Sequence, residues 1–254
     1  MPEIRPRKAV FNPELRRRGI YILPNLFTTA ALFAGFYAIV QAMNGLYEHS
    51  AVAIFVAMVF DGLDGRVARL TRTQSAFGAE YDSLSDMVSF GAAPALVIYE
   101  WALRGLGRWG WIAAFIYCAA AALRLARFNT TLGVIDKRYF QGLPSPAAAA
   151  LVAGLVWVFL DLGFAGDEVR WLAFGITLFA GLSMVSNFRF YSFKDINLRR
   201  SVPFMVVIAF VLIFVVVSSY PPGILFALFL VYALSGYALS AWHWLNRRRA
   251  KVQA

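Results

Sequence analysis

Cysteine occurs once in the 254 residues and histidine twice, and these shortages exclude whole classes of protein. A lone Cys118 cannot build a disulfide framework. With His49 and His243 far apart in the chain, nitrogen and sulfur ligands are too few for a zinc site. Charge is sparse too, at 15% of residues against 60% hydrophobic and 16% aromatic, a balance that a water-soluble domain does not have. Internal repeats with periods of about 20 to 50 residues are absent, as is any low-complexity linker, so the chain reads as one unit.

Abundant instead are apolar runs of about 20 residues, the length needed to cross a bilayer as a helix. They fall at roughly 22–43, 47–70, 80–101, 109–128, 145–164, 169–187, 202–219 and 221–243. The expected fold is therefore all-α, a polytopic transmembrane helical bundle of about eight spans. Residues 1–20 carry five Arg and one Lys without the apolar core of a signal peptide, and are expected to lie on an anionic membrane surface. Residues 246–254 form a second basic tail.

The 24 Lys and Arg residues orient the bundle. With the N-terminus inside, the basic start, Lys137, Arg138, Arg189, Lys194, Arg199, Arg200, Arg247, Arg248, Arg249 and Lys251 all fall on the cytoplasmic side. The outer side receives Glu48, Asp161, Asp167 and Glu168, with Arg104, Arg108 and Arg170 as exceptions. This is the positive-inside pattern; it puts both termini in the cytoplasm of a multi-pass cell-membrane protein. It also accounts for the net charge of +10 without nucleic acid.

Against this apolar background stand four aspartates, Asp61, Asp64, Asp82 and Asp86. Carboxylates at membrane depth are costly and require a partner or a task. On helices the first two, three apart, share a face, and so do the last two, four apart. If the helices meet, four carboxylates converge. Oxygen donors alone suit Mg²⁺ or Mn²⁺, and a pair of such ions is the usual clamp for phosphodiester chemistry. Two other readings fit the same carboxylates, ion pairs with Arg66 and Arg69 or the transit site of a divalent-cation transporter.

The frame D-x-x-D-G-x-x-A-R-x8-G-x3-D-x3-D, here Asp61, Asp64, Gly65, Ala68, Arg69, Gly78, Asp82 and Asp86, resembles the signature of the CDP-alcohol phosphatidyltransferases at every fixed position. The resemblance implies a membrane enzyme that joins an alcohol to a CDP-linked lipid and releases CMP. It implies two divalent cations on Asp61, Asp64 and Asp82, with Asp86 as the base that also touches the second ion. Nucleotide contacts carry over to Gly65, Arg69, Ser75 and Gly78, and to Asn25 and Thr28 of the P-N-x-x-T element that begins at Pro24. The resemblance further implies a homodimer and a six-helix core, placed here at 21–190, so that 191–245 hold two additional helices.

Residues Phe77–Ala95, A-L-R-L-A-R-F-N from Ala122 and G-L-P-S-P from Gly142 are similar to the phosphatidylserine synthase branch of that family. The reaction implied is CDP-diacylglycerol plus L-serine giving phosphatidylserine and CMP. Serine brings a carboxylate, so its site needs a cation; Arg124 and Arg127 are the candidates, with Asn129 as a hydrogen-bonding neighbour. Acceptors that would keep the same chemistry are glycerol 3-phosphate, inositol or its phosphate, and choline. Ser83, Ser85 and Ser89 are expected to bond their own helix backbone, and the Trp and Tyr residues to anchor and pack the helices.

Overall fold

A computed structural model of the chain describes residues 13–71, 73, 75–131, 139–191 and 204–252. The first twelve residues of the basic N-terminal segment, Lys137, Arg138, Lys194, Arg199 and Arg200 lie outside the described residues. The first two apolar runs form a hairpin of α1 (Pro13–Met43) and α2 (Tyr47–Thr71). Their seam is made of alanines: Ala34, Ala38 and Ala42 recur at one-turn spacing on α1, and Ala53 and Ala57 on α2, all buried. Helices in lipid associate by close backbone approach, which small side chains permit.

The third run is one helical path with changes of pitch. α3 (Ala76–Asp86) passes into a π-helical turn at Met87–Ala92, then α4 (Ala93–Ile98), a second π-helical turn at Tyr99–Leu103 and a 3₁₀ turn at Arg104–Leu106. Pro94 is one cause. It has no N–H to give to the Phe90 carbonyl four residues back, and such positions distort a helix unless another donor intervenes. Tyr117, fully buried, donates its hydroxyl to that carbonyl at 3.0 Å.

Tyr117 belongs to α5 (Arg108–Thr131), which is followed by α6 (Ser145–Asp161) and α7 (Arg170–Val185). α6 is buried without a break from Ala147 to Val156, as expected of a helix apolar on all sides at the centre of a bundle. The last two helices are α8 (Phe204–Ser219) and α9 (Pro221–Val252). α9 packs on the core: Phe226 sits 3.2 Å from where a Cβ on Gly154 would be, and the Phe229 ring lies 6.3 Å from that of Phe55 on α2.

One stretch departs from the sequence expectation. The sequence of Phe188–Arg200 reads as a cytoplasmic loop or a short interfacial helix; residues 192–200 lie outside the described residues, and Arg189–Tyr191 is a strand, β2, paired antiparallel with β1 (Tyr139–Gln141) in the register Tyr139↔Tyr191 and Gln141↔Arg189. The reason is tertiary. Phe190 is completely buried against Tyr232 and Tyr237 of α9, and burial of this kind overrides local polarity. Gly142 then turns the chain into α6 with φ 78°, where an added Cβ would meet the Met184 carbonyl at 2.2 Å.

Among the described residues, Leu23–Met43, Arg108–Thr130 and Pro221–Ser240 are long and apolar enough to cross a membrane. α6 and α7 are shorter apolar helices, and α2 carries two aspartates and two arginines near its end. The outer surface is apolar, with Phe33, Phe115 and Phe214 well exposed. Trp109, Trp111 and Trp171 are exposed near the starts of α5 and α7, as befits interface anchors. This is a helical membrane bundle carrying one small two-stranded ribbon.

Candidate active site

Asp61 and Asp64 lie in the last three turns of α2, and Asp82 and Asp86 in the second half of α3. Ser75 caps α3 from an extended backbone, its Oγ accepting from the Gly78 N–H at 3.0 Å. A Cβ at Gly78 would lie 3.1 Å from Ser75 Oγ and 3.5 Å from Asn25 Oδ1. Asn25, Ser75 and Gly78, three of the residues assigned to the nucleotide, therefore meet at one point. α3 packs against α1, and one carboxylate oxygen each from Asp61, Asp64 and Asp82 lies within 4.8 Å of the others. Asp86 lies one turn beyond Asp82 on α3, within electrostatic range of Asp61 and Asp82.

α1 braces the cluster. Thr28 Oγ1 donates to Asp64 Oδ2 at 2.8 Å and lies 3.2 Å from the Pro24 carbonyl of its own helix. Ser85 donates to the Thr28 carbonyl at 3.1 Å, Ser89 to the Ala31 carbonyl at 3.0 Å, and the Thr29 and Tyr81 hydroxyls are 2.9 Å apart. Gly35 permits this closeness, since a Cβ there would lie 2.5 Å from Ser89 Oγ. Ser83 donates to the Ala79 carbonyl of its own helix at 3.1 Å, as expected, whereas the other two serines differ. Ser85 and Ser89 bond the backbone of a neighbouring helix, because the α1–α3 seam is close enough for a short hydroxyl to span it.

The acceptor candidates separate. Arg124 donates from Nη1 to Ser145 Oγ, the first residue of α6, and its guanidinium carbon lies 5.9 Å from the Phe128 ring centre. It is within electrostatic range of both Asp61 and Asp86. Arg127 donates to Asn187 Oδ1 at 3.2 Å, beyond the end of α7. Asn129 Nδ2 donates to Ser83 Oγ at 3.0 Å, which links α5 to α3. Arg69 folds back over Gly65, its Nη1 3.4 Å from a Cβ built there. Among the described residues the salt bridge is Arg104–Glu100 at 3.0 Å; Arg66 and Arg69 form none with the aspartates, which counts against a purely structural role for the carboxylates.

The donors fit a hard divalent cation. All are carboxylate oxygens, and Asp82 Oδ1 is buried with no hydrogen-bond partner among the described residues, a costly state that a bound cation would relieve. Beside the cluster a groove of about 990 Å³ runs between α1 and α2, lined by Leu26, Ala30, Phe33, Val52, Val56 and Phe60. Its lining also includes Thr29, Tyr37, Glu48 and His49, and Thr29 and Phe60 are the chain neighbours of Thr28 and Asp61.

A carboxylate cluster of this kind, set between helices of an apolar bundle, can hold a divalent cation in a membrane protein. Sequence comparison gives its class. The CDP-alcohol phosphatidyltransferase family matches residues 21–183. A Helicobacter pylori protein named CDP-diacylglycerol–serine O-phosphatidyltransferase is 38% identical over 196 residues, 77% of this chain and 83% of its own. Proteins of the same name from Methanocaldococcus jannaschii and Saccharomyces cerevisiae are 45% and 38% identical over 116 and 139 residues; these cover 46% and 49% of this chain, and 54% and 50% of theirs. The chain belongs to the CDP-alcohol phosphatidyltransferase family.

Proposed function

We propose that the protein transfers the phosphatidyl group of CDP-diacylglycerol to the hydroxyl of L-serine and releases CMP. The observation that carries this reading is the position of Asp86 beside the three-carboxylate cluster, with Arg124 in electrostatic range of the same group. The names of the relatives in three distant organisms point to the same acceptor.

Two divalent cations, Mg²⁺ or Mn²⁺, held by Asp61, Asp64, Asp82 and Asp86 would neutralise the pyrophosphate charge. The remaining work falls to side chains. Asn25, Ser75, Gly78 and Gly65 with Arg69 line the nucleotide end; Gly65 leaves room for close approach, and Arg69 offers a planar fork of donors to phosphate. Asp86 takes the proton of the serine hydroxyl. That oxygen forms its bond to the lipid-bearing phosphorus as the bond to the CMP oxygen breaks, and CMP departs with the electron pair. Arg124 holds the serine carboxylate. The α1–α2 groove gives an acyl chain a path from the site into the bilayer, and the basic termini keep the reacting end on the cytoplasmic side.

CMP release in detergent with CDP-diacylglycerol, a divalent cation and one acceptor at a time tests the reading. Turnover with L-serine alone supports it, and turnover with glycerol 3-phosphate, inositol, inositol phosphate or choline instead overturns the acceptor. Asp86→Asn should cost about 10² to 10⁴ in kcat while leaving CDP-lipid binding largely intact. Asp61→Asn should lose cation binding as well. Near-normal turnover by Asp86→Asn would remove it as the base.

A further inference from the structure

The matched family region ends at residue 183, yet the last helix approaches the site. α6 and α9 run antiparallel: Gly154 meets Phe226, while at the other end β2, next to the start of α6, places Phe190 against Tyr232 and Gly236. Helical rise is the same on both rods, so moving up nine residues from Gly154 to Ser145 corresponds to moving on nine from Phe226 to Ser235. Tyr232 therefore stands within one turn of the level of Ser145, the residue to which Arg124 donates. Its ring lies 5.9 Å from that of the fully buried Phe190, and its hydroxyl is within electrostatic range of Arg124.

A guanidinium has five N–H donors in a rigid fork. Ser145 occupies one edge of the fork of Arg124, and the Phe128 ring lies nearby. Left at that, the group could swing toward Asp61 and Asp86 and form a buried ion pair that would compete with both cation and acceptor. A phenol at this level, braced from behind by Phe190, would limit that movement by offering an oxygen that can accept from the guanidinium.

We propose that Tyr232 is a positioning residue that holds Arg124 against Ser145, so that α9 completes the acceptor side of the active site. The inference rests on the reading of Arg124 as the cation that receives the serine carboxylate. It gives α9 a catalytic reason to be present, which the aspartate motif does not.

The test is steady-state kinetics of the full-length protein with L-serine and CDP-diacylglycerol varied separately, for Arg124→Lys, Tyr232→Phe and the double variant, together with their thermal midpoints. Arg124→Lys should raise the KM for serine at least tenfold and leave that for CDP-diacylglycerol unchanged. Tyr232→Phe should raise the serine KM roughly three- to tenfold, the worth of one hydrogen bond, with an unchanged midpoint. The double variant should be no worse than Arg124→Lys alone, since the residues act as a unit. An unchanged serine KM in Tyr232→Phe, effects that multiply in the double variant, or a loss confined to the midpoint would overturn the proposal. If Arg124→Lys itself leaves the serine KM unaltered, the underlying reading of Arg124 fails and takes the inference with it.

Discussion

Thr28 on α1 and Asp64 on α2 are joined by a 2.8 Å hydrogen bond in which a buried hydroxyl supports a buried carboxylate. The bond aims Asp64 at the cluster from a helix that contributes no carboxylate of its own. Thr28→Val keeps the shape and removes the donor. Hydrogen bonds to charged groups are worth about 1.5–3 kcal/mol, so cation affinity and kcat/KM should each fall roughly tenfold or more. Thr28→Ser should restore most of both. Titration with Mn²⁺ and the CMP assay read the two effects; a Thr28→Val protein with wild-type affinity would show that Asp64 needs no such support.

Three carboxylates within 4.8 Å repel one another until a cation binds. A chelator should therefore lower the thermal midpoint of the detergent-solubilised protein, and excess Mg²⁺ or Mn²⁺ should restore it. Saturation to about a hundred times the dissociation constant is worth about 2.7 kcal/mol. Asp82→Asn should respond in the opposite sense when cation-free: its midpoint should rise, because a like charge is gone, and it should barely move when cation is added. A chelator-insensitive wild-type midpoint would remove the cation from the cluster.

The Tyr117 hydroxyl serves the Phe90 carbonyl that Pro94 cannot. Tyr117→Phe leaves a buried acceptor unpaired, at a cost of about 1–3 kcal/mol, and a lowered thermal midpoint should report it. Adding Pro94→Ala returns an N–H at the right position, so the double variant should recover part of the loss. Equal midpoints for wild type and Tyr117→Phe would mean that water or a neighbouring amide already satisfies the carbonyl.

The grouping of the aspartates was the most legible part of the site, because it is written in local spacing. Asp61 and Asp64 share a helix face by arithmetic alone, as do Asp82 and Asp86, and three of them do converge. The helical runs were legible too, since length and apolarity decide them. What escaped depends on distant partners. β2 could not be foreseen, because only the pocket offered by Tyr232 and Tyr237 makes burying Phe190 favourable. The hydroxyls of Ser85 and Ser89 had a backbone acceptor in their own helix to choose, and took one on α1 because Gly35 lets that helix come near. Of three acceptor candidates, identity could not say that Arg127 turns to Asn187 and Asn129 to Ser83, leaving Arg124 in range of the aspartates.

The π-helical turn at Met87–Ala92 directly follows Asp86. Such a turn holds one residue more than an α-turn, and one residue is about 100° of rotation. Asp82 and Asp86 thus keep one heading while Pro94 and all that follows to Leu103 keep another. Deleting a single residue between 87 and 92 would not shorten a loop. It would let the wider turn close as an ordinary α-turn, because the extra residue is what the π-turn absorbs; Val97, Ile98 and Leu103 would keep their place in the core, and the change would fall on the residues of the turn itself, Ser89 and Phe90 among them.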